Sequence, residues 1–141
     1  MTSHPVILCV DDDPDDREML RDVLQTTNAR LKVMEASDGR EALDYLRSQE
    51  SLAHPPSLII LDMNMPRLSG RETLAILKSE METESIPVVV FTTSSADADA
   101  SFCNRFGVEM VTKPATYEAL KSIVQRLLSK ITLPGKFQTA N

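Results

Sequence analysis

Asp62 closes an apolar run, Leu58-Ile59-Ile60-Leu61, and Met63-Asn64-Met65-Pro66 follows at once. A carboxylate at the end of a buried strand, just before a turn, stands where open α/β sheets carry their chemistry. The arrangement recurs near the start of the chain, where Val6-Ile7-Leu8-Cys9-Val10 runs into Asp11-Asp12-Asp13-Pro14. Two strands that each end in acid predict one acidic pocket, suited to a divalent cation and a phosphoryl group. Clustered carboxylates repel, so such a pocket raises a pKa or recruits a cation. Mg²⁺ is the natural guest: small, hard, and content with a few carboxylates, waters and a phosphoryl oxygen. In that setting Asp62 is a candidate nucleophile that forms an aspartyl phosphate. Lys113 and the cation would stabilise the oxygens of the transferring group. Thr92 would donate a hydrogen bond to it.

These residues need a scaffold that brings distant stretches together, and the apolar patterning predicts one. Val6 to Val10 and Leu58 to Leu61 are continuous apolar runs, as in strands buried on both faces. Ile86 to Phe91 and Val108 to Thr112 read as strands four and five. Leu31 to Ala36 reads as a second, less buried strand. Asp13-Pro14 marks a helix start, with an N-cap residue followed by proline at the first helical position. Met19, Leu20, Val23 and Leu24 then recur at helical spacing. Ala42, Leu43 and Leu46 give a second helix face, and Leu74, Leu77 and Met81 a third. A weakly apolar fourth helix is expected over about 96 to 105. A fifth carries Leu120, Ile123, Val124, Leu127 and Leu128. Thr92-Thr93-Ser94-Ser95 is a hydroxyl-rich loop, and His54-Pro55-Pro56 another. Five strands alternating with five helices predict a doubly wound α/β fold with a parallel sheet covered on both faces. The strand ends then converge on one rim with Asp11, Asp12, Asp62, Thr92 and Lys113.

Composition narrows the classes. The chain has 141 residues, 42% hydrophobic and 26% charged. That fits one globular domain with a real core. A formal net charge of −6 argues against a nucleic-acid-binding surface, which needs clustered Lys and Arg. No apolar run approaches transmembrane length. Cys9 and Cys103 show no metal or disulfide spacing; Cys9, inside an apolar strand, reads as a small buried hydrophobe, and a reduced, cytoplasmic protein is the simplest reading. His4 and His54 each neighbour a proline and read as loop residues, which leaves no basis for a histidine triad or a zinc site.

Other acids read more simply. Asp13, Asp15 and Asp16 suit capping and the dipole of a first helical turn, with weak tuning of the metal site as the alternative. Asp11-x-Asp13-x-Asp15 mimics a calcium loop, but Asp16 stands where that loop requires glycine, and a strand precedes it. Met63, Met65 and Met81 read as packing residues, and Gly70 as a backbone position at the third helix start.

Val10-Asp11-Asp12, Asp62-Met63-Asn64-Met65-Pro66, Gly70, Pro87 to Thr92 and Lys113-Pro114, in that order, resemble the receiver domains of two-component response regulators. The resemblance spans about residues 6 to 131. It implies a flavodoxin-like (βα)5 fold with strand order 2-1-3-4-5, and a short tail over 132–141. It implies Asp62 as phosphoacceptor, Asp12 as direct metal ligand with Asp11 beside it, and a backbone carbonyl of Asn64 on Mg²⁺. Thr92 matches the hydroxyl that moves toward the phosphoryl group, and Lys113 the lysine of the site, with a cis Lys113-Pro114 bond.

The implied function is a phosphorylation-controlled interaction switch in a phosphorelay. A sensor histidine kinase or a histidine phosphotransfer protein would supply the phosphoryl group, and only the domain's own phosphorylation and dephosphorylation would be catalysed. No output domain follows residue 131, so a stand-alone receiver is expected, similar to regulators that partner bacterial phytochrome kinases. A homodimer through the fourth helix, fifth strand and fifth helix is a further expectation, aided by Leu133 and Phe137. The chain departs from the family at Met110, where an aromatic is usual, and at Thr93 and Ala115. Met63 and Ser94 occupy positions that tune hydrolysis, and neither is acidic or amide, so slow self-dephosphorylation is expected. The rival of another class, an aspartyl phosphatase of the haloacid-dehalogenase type, needs an acid two residues after the nucleophile, where this chain has Asn64.

Overall fold

The computed structural model describes residues 4–93 and 97–131. Strands β1 (Val6–Val10), β2 (Lys32–Ala36), β3 (Leu58–Asp62), β4 (Val88–Thr92) and β5 (Glu109–Thr112) form one sheet in the order β2-β1-β3-β4-β5. All four pairings are parallel. The helices are α1 (Pro14–Thr27), α2 (Gly39–Leu46), α3 (Gln49–Ala53), α4 (Gly70–Ser79), α5 (Asp97–Arg105) and α6 (Tyr117–Lys130). The expected order 2-1-3-4-5 is thus observed. Among the described residues, one helix exceeds the expected five: α3 is a short turn capped by Ser48, whose hydroxyl accepts the Ser51 N–H. Its only buried residue is Ser51 and its Leu52 is half exposed, so no apolar periodicity announces it.

Residues of β1, β3 and β4 are buried throughout because both faces of the sheet are covered. Alternation divides them. Ile7, Cys9, Ile60, Val89 and Phe91 pack under α1 and α6, with Val23, Leu24, Val124 and Leu127. Leu8, Val10, Ile59, Leu61 and Val90 pack on the other face, with Leu43 and Leu46 of α2, Leu74 and Leu77 of α4, and Cys103 of α5. Strand β2, at an edge, is only partly buried. Cys9 and Cys103 are buried and unpaired, and burial pushes the Cys9 thiol up to about 12. Both therefore act as small hydrophobes.

Two expected core positions face water. Met81 is exposed, because α4 stops at Ser79 and Glu80 turns extended, which takes the next i+4 position off the helix face. Met19 is also exposed, on the flank of the α1 stripe that buries Leu20, Val23 and Leu24. The sheet reverses direction of winding between β1 and β3, so the rim at their C-terminal ends is the topological switch point.

Candidate functional site

The rim is built by local signals that stop each element on time. Asp13 caps α1, its carboxylate accepting the Asp15 N–H at 2.9 Å, and Pro14 takes the first helical position. This fixes Asp11 and Asp12 in the three-residue step between β1 and α1. Asp11 Oδ1 accepts the Asp13 N–H at 2.9 Å, and the Asp11 carbonyl accepts from Arg17 at 2.6 Å. After β3, Ser69 and Glu72 form a reciprocal capping box at the start of α4. Gly70 lies so close to the strand end that an added Cβ would stand 2.3 Å from the Asp62 carbonyl oxygen. The Gly70 N–H donates to the Met63 carbonyl at 3.0 Å. Glycine there lets α4 press on the strand that carries Asp62.

The register aligns the remaining strand ends. Asp62 pairs with Phe91, one residue before Thr92, and Thr92 pairs with Thr112, one residue before Lys113. The Lys113 N–H donates to the Thr92 carbonyl at 2.8 Å. Thr92 is fully buried and Asp62 is 4% exposed. Asp11, Asp12 and Asp62 each offer a carboxylate oxygen, and these oxygens lie within 4.8 Å of one another. The Lys113 ammonium reaches into this group, 2.9 Å from Asp11 Oδ2, 3.1 Å from Asp16 Oδ2 and 3.5 Å from Asp62 Oδ1. The Asn64 N–H donates to Asp62 Oδ1 at 3.4 Å.

Burial and the neighbouring Asp11 charge raise the Asp62 carboxyl to about 6; Lys113 and the Asn64 N–H pull it down without cancelling them. Burial disfavours the Lys113 charge, but its bonds to Asp11 and Asp16 outweigh that and raise its pKa above the ordinary lysine value. The result is a site with more acid than one ammonium can neutralise. Its donors are hard carboxylate oxygens, two of them beside an exposed carboxylate at Asp12. That chemistry fits a small hard divalent cation. Asp11, Asp12 and Asp62 would hold it.

Of the residues singled out in the sequence, Asp11, Asp12, Asp62 and Lys113 converge in side chain, and Thr92 converges in backbone register. Asn64 is exposed, with its N–H turned to Asp62. The Lys113-Pro114 peptide is trans, contrary to the expected cis bond. Met110 is partly buried against the cluster beneath α5. Met63 is buried and Met65 partly so, as packing residues. His4 is a loop residue whose ring nitrogen bonds the Arg30 carbonyl. Ser94, Leu133 and Phe137 lie outside the described residues.

The site also has members whose contacts no local pattern announced. Asp16, expected to serve the helix dipole with weak tuning of the metal site as the alternative, contacts Lys113. Arg17 ties the Asp11 carbonyl to Glu35 of β2. On the far side, Arg67 adopts φ 64° in the β3–α4 loop, and its guanidinium Nε donates to Asp38 at 2.9 Å. Asp38 also caps α2 by accepting the Glu41 N–H. One weak signal was available for Asp16: it stands four residues after Asp12 and three after Asp13, one helical turn beyond them.

No helix among the described residues is long and apolar enough to cross a membrane. The family model for the response regulator receiver domain matches residues 7–125. The chain is 34% identical over 137 residues to the response regulator Rcp1 of Synechocystis sp., covering 92% of this chain and 93% of that one. The structure superposes on the Mn²⁺-bound form of Rcp1 with a TM-score of 0.81 at 33% identity, covering 93% of this chain and 99% of that one. It superposes on the phosphorylated cyanobacterial phytochrome response regulator RcpA with a TM-score of 0.82 at 35% identity, covering 94% and 100%. Matched along nearly its whole length in sequence and in fold, the chain belongs to the receiver domains of two-component response regulators.

Proposed function

We propose that this receiver takes a phosphoryl group onto Asp62 from the phosphohistidine of a sensor histidine kinase or a histidine phosphotransfer protein, with Mg²⁺ at Asp11, Asp12, Asp62 and the Asn64 carbonyl. The observation that carries the reading is the convergence of Asp11, Asp12, Asp62 and Lys113 from three strand ends. An Asp62 carboxylate oxygen attacks phosphorus, a P–O bond forms, the P–N bond breaks, and the imidazole nitrogen leaves with the electron pair. A bound divalent cation supplies positive charge to the phosphoryl oxygens and lowers the Asp62 pKa.

The chain's own residues do the rest. Asp62 presents its carboxylate at the end of a rigid buried strand. Lys113, already within 3.5 Å of Asp62, turns from a carboxylate to a phosphoryl oxygen as charge builds there. Thr92, at the end of the adjacent strand, supplies a hydroxyl on the inner side. The added negative charge then biases a two-state equilibrium of the domain, and output is a change in binding. The α5–β5–α6 face is the surface for that output, including self-association.

A Mn²⁺-bound relative and a phosphorylated phytochrome-linked relative support this reading. A phytochrome-type histidine kinase is accordingly the donor we favour. Buried Met63 gives attacking water no acid or amide to lean on, so the aspartyl phosphate is long-lived. The test is transfer from a labelled phosphohistidine donor in Mg²⁺, followed by decay after donor removal. Label on wild type but not on Asp62→Asn, lasting minutes or longer, is expected. Label that decays in seconds contradicts the lifetime, and equal labelling of Asp62→Asn contradicts the acceptor.

A further inference from the structure

The Lys113 ammonium keeps one partner that phosphoryl transfer does not require. Its three carboxylates differ in kind. Asp11 and Asp62 belong to the cluster suited to a divalent cation, and Asp16 does not. Asp16 stands in the first turn of α1, with a side chain 43% exposed, against 12% for Asp11 and 5% for Asp62. A cation and the ammonium therefore compete for Asp11 and Asp62, and two positive charges at that range repel. Lys113 must draw back from Asp11 when a cation arrives. Of its three carboxylate partners among the described residues, the one left to it then is Asp16, on α1. A groove of about 60 Å³ beside it is lined by Asp11, Asp16, Lys113 and Pro114 together with the apolar Met19, Leu20, Phe91 and Leu120.

We infer that Asp16 is a positioning residue: it holds the Lys113 ammonium at the rim once a divalent cation takes Asp11 and Asp62, which eases cation entry and keeps the lysine at hand for a phosphoryl oxygen. The inference rests on the cation reading of the site. It makes the lysine a charge that moves between two docks, one on the sheet and one on α1. Asp16 touches neither cation nor phosphoryl group and acts only through Lys113.

The test is Mn²⁺ binding to the full chain, followed by calorimetry and by the paramagnetic signal of free Mn²⁺. Asp16→Asn weakens binding by about fivefold or more, the low end of an ordinary coupling between sites. Asp16→Glu, which keeps the carboxylate, recovers most of that loss. Asp15→Asn removes the same charge from the same helical turn without touching Lys113, and changes binding by less than about twofold. In a Lys113→Met background no ammonium is left to hold, so adding Asp16→Asn has an effect below about twofold. An unchanged affinity in Asp16→Asn, an equal loss in Asp15→Asn, or the same loss with and without Lys113 overturns the inference while leaving the cation site standing. Failure of the wild-type protein to bind Mn²⁺ overturns the cation reading and this inference with it.

Discussion

The Lys113 ammonium lies 3.5 Å from Asp62 Oδ1, farther than its 2.9 Å contact with Asp11. The lysine thus spends its strongest hydrogen bond on the neighbour of the phosphoacceptor and leaves Asp62 only partly neutralised. Burial and the Asp11 charge then hold the Asp62 carboxyl near 6. A carboxylate so placed is a stored cost in the resting domain, and anything that brings positive charge or removes the negative one relieves it.

Asp62→Asn should accordingly stabilise the metal-free protein at neutral pH. The folded-state pKa of Asp62 is raised, so the folded state holds its proton more tightly than the unfolded chain, and stability falls as pH rises from 3.8 to about 6. Above that window the penalty is complete, worth about 1–2 kcal/mol from a shift of this size after allowance for solvent at the rim. Urea unfolding with a chelator should show Asp62→Asn more stable than wild type at pH 7, with the gain fading toward pH 4. A variant less stable than wild type at pH 7 would count against a strained carboxylate.

Gly70→Ala should damage both stability and phosphorylation. A Cβ would lie 2.3 Å from the Asp62 carbonyl oxygen and 2.6 Å from Met63 Cα, both backbone atoms that cannot rotate away. Pushing α4 off the end of β3 should cost about 1–3 kcal/mol, as overpacking of a tight contact does. It should also slow phosphorylation more than an exposed substitution of equal stability cost would. Thermal melts and acetyl phosphate labelling check this; a neutral Gly70→Ala would show that the contact is slack.

How much of this was legible is itself physical. Continuous apolar runs betray strands buried on both faces, and an acid, hydroxyl or lysine directly after such a run has few places to be but the rim. Asp11, Asp62, Thr92 and Lys113 were readable for that reason. Contacts that depend on how a helix is rotated against a distant strand leave no local trace. Asp16 meets Lys113 across 97 residues, and Arg67 meets Asp38 across 29. Helix α3 is held by one cap and a buried serine rather than by an apolar face. Met81 kept the helical spacing of Leu74 and Leu77, but the helix ended before reaching it.

Asp38→Ala should destabilise through two losses at once, the α2 cap and the Arg67 bond. Asp38 is buried, and the Arg67 guanidinium and the Glu41 N–H hold its carboxyl below the usual range. A depressed folded pKa contributes stability that is present above the unfolded value of 3.8 and lost as pH falls through the lower, folded one. Loss of the cap alone should cost about 1–2 kcal/mol. Urea unfolding at pH 7 and below pH 4 should show the variant's deficit shrinking in acid; a deficit that does not depend on pH would place the cost in packing alone.

The most direct measurement is the intact mass of the protein after incubation with acetyl phosphate and Mg²⁺. Wild type should gain one phosphoryl group, the gain should vanish when a chelator replaces Mg²⁺, and Asp62→Asn should gain none. A wild-type mass that does not change, or an Asp62→Asn mass that rises equally, would contradict the assignment of Asp62 and of the acidic rim around it.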